Sequence, residues 1–482
     1  MALILATVGV PAVGAGLAAL TRGRVQLAVG LGATAATGGA AALLGWQLWR
    51  TAEPLTVRTP APAGAEFVLV ADGLAVSMVL MTAAVGVFAG AFAATQRGDA
   101  RAGHPGYWPL WLVLWAGLHT LFLAGDLFTV YLMLELIGIA GAALVILGGG
   151  ARTLVAGARY FYAELVASVT FLLGIALVWD AAGTVVLAAL PAELAAAPAG
   201  RWGLAVMTAG LLLKVPLVPL AFWLPAAHTL APSTVSPILS AVVVKTAFAV
   251  LVRLWFDALP GAAPPSAAQL LGVLGAAAVL WGSLNALRAQ QLKLLIAHST
   301  VAQLGLLFLL PPLVMAGAAD AWTGGILHAI AHALPKAAML MVAVLLTRTA
   351  GGETVAELAG SATRRPVAVF AFGIAAVSLV GLPPTGGFVA KWYLLVASVE
   401  TGQWWWVPVI VVGSLLTAAY LMRVVKRAFA PVPAGLPATA VRGWADVVAL
   451  LLAATALVLG LRPLELLTLL ELGPPLRGLV GG

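Results

Sequence analysis

Apolar residues run along this chain in stretches of about twenty, separated by short polar breaks, from the first residues to about Leu461. A helix that crosses a bilayer needs roughly 20 apolar residues. The runs and their breaks predict fourteen helices, at 2–20, 26–47, 67–95, 107–124, 127–148, 154–179, 203–224, 235–257, 268–287, 294–313, 321–347, 366–398, 404–425 and 441–461. The expected fold is an all-α polytopic membrane protein of about 14 transmembrane helices. Met1 to Leu20 lacks the basic start of a signal peptide and is followed directly by Arg22, Arg24 and a second apolar run, so it reads as a retained span.

Composition strengthens this picture. The 482 residues are 62% hydrophobic and 9% charged, with a mean hydropathy of +1.08, whereas a soluble chain is about 45–50% apolar and about 25% charged. That balance excludes a soluble enzyme, a coiled coil and a disordered chain. There is no Cys, which rules out disulfides, iron–sulfur clusters and thiolate metal sites. No cofactor or electron carrier is expected, and the chain is not expected to be catalytic on its own.

The net charge of +8 is distributed as a membrane protein distributes it. Arg22, Arg24, Arg97, Arg101, Arg152, Arg159, Arg288, Lys293, Arg348, Arg364, Arg365, Lys426, Arg427 and Arg442 fall in odd-numbered loops. The even-numbered loops and the C-terminus hold Arg50, Arg58, Arg201, Arg462 and Arg477. Positive residues stay cytoplasmic, so the odd loops are expected inside and both termini on the outer face of the cell's inner (plasma) membrane. The charge needs no nucleic acid to explain it. No Pro/Ser-rich linker separates soluble domains, and the Ala/Pro-rich loop from Ala181 to Arg201 carries no chemistry. The Gly/Ala-rich second span, Gly30 to Gly45, is expected to pack closely on a neighbour through small residues.

Lys214, Lys245, Arg253, Lys336, Lys391 and Arg423 remain within spans, the two arginines near helix ends where they can snorkel. Four of the six lysines are therefore deep. At roughly 2.5–3.5 kcal/mol each they cost on the order of 10 kcal/mol to insert, and such residues persist when they function or pair internally. Glu135, about eight residues or roughly 12 Å into the fifth span, and Lys214 in the seventh are natural partners. Two readings are open: a pair whose separation turns the lysine into a proton donor, or a static ion pair that fixes helix register.

His328, His332 and Lys336 are spaced four apart and form one stripe with about 6 Å between neighbours. The stripe suits a water-assisted proton ladder. Packing with interhelical hydrogen bonds is the blander reading. Two His at this spacing also suit a metal, but the run is His-Ala-Ile-Ala-His, without HExxH or a nearby carboxylate, so no metal is expected. His298, Ser299 and Thr300 lie early in the tenth span and point a path towards Lys245. Glu164 and His119 could approach Glu135. Asp126 reads as a solvated helix-start residue.

The seventh and twelfth spans carry internal breakers, Lys214-Val-Pro-Leu-Val-Pro and Gly381-Leu-Pro-Pro-Thr-Gly-Gly-Phe-Val-Ala-Lys391, each beside a lysine. Proline removes donors and glycine tolerates unusual dihedrals. Broken helices at matched places in two halves point to an ion site in a transporter with inverted repeats; an ordinary proline kink is the alternative. The spans then divide into three N-terminal helices (1–100), a first five-helix unit (107–257), a second and inverted one (268–428), and a last helix with its tail (441–482).

With Gly125-Asp-Leu-Phe-Thr-Val-Tyr-Leu-Met-Leu-Glu135, Lys214-Val-Pro-Leu-Val-Pro-Leu-Ala-Phe-Trp-Leu-Pro-Ala-Ala-His228, Ala231-Pro232, Lys245, Gln291-Leu-Lys-Leu-Leu-Ile-Ala-His-Ser299, His328-Ala-Ile-Ala-His-Ala-Leu-Pro-Lys336 and the Gly381–Lys391 segment in hand, the chain resembles the antiporter-like subunits. These are shared by respiratory complex I (the NuoL, NuoM and NuoN type), Mrp sodium/proton antiporters and membrane-bound hydrogenases. The resemblance covers residues 67 to 430. It implies fourteen spans, inverted repeats and a horizontal axis of charged residues along which protons move. It also implies a coupling pair at Glu135 and Lys214, a central proton-carrying lysine at Lys245, an exit residue at Lys391, and a link through His328, His332 and Lys336. Glu164 and His298 depart from the family pattern. The lysine at 391 resembles the N, L and Mrp D types rather than the M type, the Gly125-Asp-Leu-Phe stretch looks most like the D-type Mrp antiporter protein, and the chain ends soon after the fourteenth span, without the lateral helix of the L type. The implied function is proton translocation in an Mrp-type cation (Na+)/proton antiporter, beside other membrane subunits in the lipid bilayer. The alternatives are a pump module of a redox complex and a passive membrane scaffold.

Overall fold

The computed structural model describes residues 1–60, 66–96, 103–432 and 443–472. Arg97, Arg101, Arg442 and Arg477, used above for orientation, lie outside the described residues. The chain is mostly helical: α1 Ala2–Leu20, α2 Gly23–Thr51, α3 Gly73–Thr95, α4 Tyr107–Leu123, α5 Leu127–Ile146, α6 Ala151–Ala182, α7 Pro198–Lys214 and α8 Leu224–Leu230. Then follow α9 Ser236–Ala258, α10 Pro265–Arg288, α11 Leu292–Met315, α12 Ala319–Ala350, α13 Pro366–Val380, α14 Gly386–Glu400, α15 Trp406–Ala428, α16 Trp444–Leu461 and α17 Leu464–Leu470. Among the described residues eleven helices are long and apolar enough to cross a membrane, and α4 and α13 are shorter apolar helices. This is a multi-pass membrane fold.

Both expected breaks are present. The seventh apolar run is helical only to Lys214 and resumes at Leu224, and the twelfth stops at Val380 and resumes at Gly386. In each case prolines withhold amide donors and the backbone leaves the helix. A third irregularity has no counterpart in the sequence pattern. α9 opens into π turns at Leu239–Val243 and Leu254–Ala258, on either side of Lys245; such turns recur at functional sites.

One element departs from the all-helical expectation. Residues 67–71, read as the start of the third helix, form a strand, Glu66–Ala71, that pairs antiparallel with Leu55–Pro60. Val, Leu and Thr recur in the paired segments, and a short apolar run of this kind cannot be told from a helix by periodicity. The hairpin organises the entry to α5. Gly125 donates its amide to the Val68 carbonyl at 2.7 Å, and Asp126 accepts from the Val68 amide at 3.0 Å. A Cβ on Gly125 would stand 2.8 Å from Val70, so only glycine lets the strand come this close. Asp126 also caps α5 through the Thr129 amide and hydroxyl, both at 2.7 Å. It is fully buried, which corrects the expectation of a solvated residue: its carboxylate is needed between two elements rather than at a free helix end.

Small residues set the close crossings. A Cβ on Gly30 of α2 would enter the Trp108 ring, as expected for that Gly-rich span. Where α10 crosses α11, a Cβ on Gly275 would lie 2.5 Å from the Gly305 carbonyl, and one on Gly305 would lie 2.4 Å from the Gly275 carbonyl. Paired charges tie the helix ends. Arg253 grips Asp72 at 2.8 and 2.9 Å and Asp257 at 3.1 Å, and Arg365 holds Asp446 at 2.9 Å. Arg423 donates to the Leu287 and Ala289 carbonyls at the end of α10. Outside the spans, the Thr354 amide and hydroxyl hold the Glu357 carboxyl below the usual carboxylate range.

Backbone contact at the α10–α11 crossing leaves no room for a side chain. Gly275→Leu is expected to cost about 3 kcal/mol or more in stability and to lower the melting temperature in detergent. Gly373→Leu, with open space around it, should leave that temperature unchanged.

Candidate functional site

α12 is the axis of the site. It is apolar on nearly every side and its central stretch is wholly buried by protein, yet His328, His332 and Lys336 form one stripe along it. The His328 and His332 rings stack with centroids 6.2 Å apart and planes 13° apart. His328 Nε2 lies 3.3 Å from the Gln303 carbonyl. Lys336 Nζ donates to Ser299 Oγ at 2.5 Å. Both ring nitrogens of His332 and Nδ1 of His328 are buried without a hydrogen-bond partner, which leaves donors and acceptors free along the stripe.

Lys245 faces this stripe from α9 and is fully buried. Its ammonium donates to the Ala241 carbonyl at 2.6 Å and the Ser240 carbonyl at 3.4 Å, both within the π turn. Ser240 and Thr300 share a hydrogen bond of 2.7 Å, so the path from the tenth span towards Lys245 runs through Thr300 while Ser299 serves Lys336. His332 lies close enough to feel the charges of Lys245, Lys336 and Lys391. The ring of His298, proposed from sequence as part of this path, meets Trp281 edge-on at 5.5 Å, and its Nδ1 has no partner.

At one end of the line, Lys214 donates to Glu164 Oε2 at 2.6 Å and to the Glu164 carbonyl at 3.3 Å. This corrects the expected Glu135–Lys214 pair. Gly138 on α5 carries no side chain, and Glu164 from α6 lies across it, its Oε2 3.4 Å from where a Cβ would be. Glu164 thereby fills the space one turn along from Glu135 and reaches the lysine first. Glu135 is near enough to interact repulsively with Glu164, and its Oε1 is buried with no hydrogen-bond partner. The His119 ring lies 5.7 Å from that of Trp115, tilted by 34°, and neither of its nitrogens has a hydrogen-bond partner.

At the other end, Lys391 donates to the Leu379 and Val380 carbonyls at 2.9 Å each and to Ser414 Oγ at 3.0 Å. The two carbonyls end α13, where no further turn takes their lone pairs and the helix dipole is negative. Gly381, at φ +87°, turns the chain there, and a Cβ would stand 2.7 Å from Lys391 Cδ.

Sequence reasoning overlooked His228. It is buried on α8, close enough to feel the charges of Lys336, Lys245 and Lys293. Its ring stands edge-on to Trp223 at 6.5 Å. Trp223 in turn stacks on Tyr160 at 4.9 Å and donates Nε1 to the Leu213 carbonyl at 3.0 Å. The broken stretch after Lys214 thus returns an aromatic to the end of α7 and an imidazole to the neighbourhood of Lys336 and Lys245. Its sequence signal was a His just beyond a proline break, closing the Lys214–His228 segment that carries part of the family resemblance. Among the described residues no three His, Asp or Glu side chains cluster as a metal site.

Residues 124–417, which hold most of these groups, match the family described as NADH:quinone oxidoreductase/Mrp antiporter, TM. The N-type protein of the NADH-quinone oxidoreductase of Desulforudis audaxviator is 35% identical over 375 residues, 77% of this chain and 74% of that protein. The D-type protein of the Na(+)/H(+) antiporter of Bacillus subtilis is 29% identical over 374 residues, again 77% and 74%. A chain in the structure of the Mrp complex from a Dietzia species has a TM-score of 0.88 at 25% identity, covering 100% of this chain and 99% of that one. The buried basic line, the two broken helices and these matches lead to one conclusion: the chain belongs to the NADH:quinone oxidoreductase/Mrp antiporter family, as an antiporter/complex I-type membrane subunit.

Proposed function

We propose that this chain is the proton-translocating subunit of a multisubunit Mrp-type sodium/proton antiporter in the plasma membrane, working beside other membrane subunits. The observation that carries the reading is the succession of buried basic groups from Lys214 through His228, Lys245, Lys336, His332 and His328 to Lys391, with unpartnered imidazole nitrogens between the ammonium groups. In this reading fourteen spans form two five-helix units of opposite orientation, 107–257 and 268–428, flanked by 1–100 and 441–482. Both termini lie outside. Each unit contributes one broken helix and one lysine beside its break.

Lys245 is the group that exchanges protons. A cation in low dielectric responds strongly to charge nearby, so the state of the Glu164–Lys214 pair, with Glu135 as a second acceptor, sets whether Lys245 holds or releases its proton. Lys336, His332 and His328 pass it towards Lys391. The likeness to the N-type protein of NADH-quinone oxidoreductase supports a second reading: the same proton line serving as a pump module in a quinone oxidoreductase or membrane hydrogenase, driven by catalytic subunits. Proton flux in sealed vesicles containing the native complex separates the two. Sodium-driven proton movement without an oxidisable substrate is the expected result, and proton movement confined to electron transfer would replace the antiporter reading with the redox one.

The ion pair gives a sharper test. Glu164→Gln removes the carboxylate that holds Lys214, and breaking one side of a buried pair is strongly disruptive. Proton flux is expected to fall on the order of tenfold in Glu164→Gln and in Glu135→Gln, with the complex still assembled. Flux at the level of the unaltered chain in Glu164→Gln would reduce the pair to a structural contact.

A further inference from the structure

The lysines beside the two helix breaks differ in one respect. Lys214 has a carboxylate, whereas Lys391 among the described residues has only neutral acceptors, two carbonyls and the Ser414 hydroxyl. A cavity of about 330 Å³ opens beside it, between α13, α14 and α15. Apart from Lys391 and Ser414 its lining is apolar and aromatic, with Phe388, Trp392, Ile410 and Leu415 forming the walls. Trp392 and Leu415 are 56% and 65% exposed on the flank of the bundle. The cavity therefore opens sideways, at the level of the helix break, rather than towards either end of the helices.

Small-molecule sites have this character: roughly 300–1,000 Å³, mostly apolar walls, and a few placed polar groups. We propose that this cavity binds a long-chain carboxylic acid, its carboxylate paired with Lys391 and its hydrocarbon chain along the Trp392–Leu415 wall. The approach is from hydrocarbon, so the ligand must be soluble there. A carboxylic acid travels in its neutral form and gives its proton to the Lys391 amine once the latter has released its own, so that an ammonium faces the carboxylate, whereas a phosphate headgroup is held at the membrane surface. The charge is complementary, and an ammonium–carboxylate hydrogen bond is about twice as strong as a neutral one. Ser414 fits the same ligand. A hydroxyl both donates and accepts, so on binding it turns its hydrogen to the carboxylate while Lys391 keeps its two carbonyls. Because Lys391 stands at the end of the proposed proton path, an occupied site slows translocation; this last step rests on that functional reading.

The test uses the intact complex in liposomes and a photoreactive diazirine palmitic acid, with the palmityl alcohol of the same chain as control. Labelling is expected within residues 380–418, about tenfold weaker for the alcohol, and lost in Ala418→Phe, which fills the cavity without touching Lys391. Palmitate should slow proton flux in the unaltered complex but not in Ala418→Phe. Labelling elsewhere, equal labelling by the alcohol, or a cross-link from Ala418→Cys to a neighbouring subunit in the resting complex would each overturn the site. Specific labelling without any effect on flux would uphold the site and overturn Lys391 as an exit residue.

Discussion

An ammonium group in the middle of a bilayer must find its hydrogen-bond acceptors in protein, and the architecture of this chain is shaped by that demand. A regular helix has none to offer, because each carbonyl is already taken by an amide four residues on. The chain supplies acceptors by opening its helices. Lys391 uses the last carbonyls of α13 where the helix stops. Lys245 uses carbonyls of the π turn just before it. Lys336 reaches a serine on a neighbouring helix, and Lys214, at the end of α7, takes both the side chain and the backbone carbonyl of Glu164. The irregular backbone and the buried charge are two sides of one solution, tolerated because both are enclosed by protein.

The rest of the bundle keeps these arrangements in register. The Gly125–Asp126 step binds α5 to the hairpin, which fixes the height of Glu135 and Gly138 against Glu164. The Arg253–Asp72 and Arg365–Asp446 pairs pin α9 to the start of α3 and the start of α13 to α16. Glycine contacts between α10 and α11 hold Ser299 and Thr300 at the distance their partners on α12 and α9 require. Buried polar groups demand such positioning, since a partner lost in low dielectric costs more than its hydrogen bond returns in water.

Much of this was legible from residue order. Among the described residues a helix lies in each stretch that hydrophobicity predicted, apart from 67–71, which form a strand, and the spacing of His328, His332 and Lys336 alone places them on one stripe. Proline and glycine marked both breaks, and the lysines beside them. What could not be read were relations between helices. Spacing along α5 says nothing about which helix faces it, so Glu135 pairs with Lys214 on paper although Glu164, packed over the side-chain-free Gly138, is closer. Asp126 looks like an exposed cap because its second partner, Val68, lies 58 residues away. The π turns of α9, Leu239–Val243 and Leu254–Ala258, contain no proline or glycine themselves. Adjacent residues on a helix point about 100° apart, so the order His298, Ser299, Thr300 does not say that the first meets Trp281 while the others reach Lys336 and Ser240.

The central claim is that Lys245 carries the transported proton. The most direct test is proton flux through the assembled complex carrying Lys245→Ala in sealed liposomes, with assembly checked by recovery of all subunits. The account predicts complete loss of coupled proton flux in an intact complex. Near-normal flux from that variant would show that protons cross without Lys245, and would contradict the mechanism at its core.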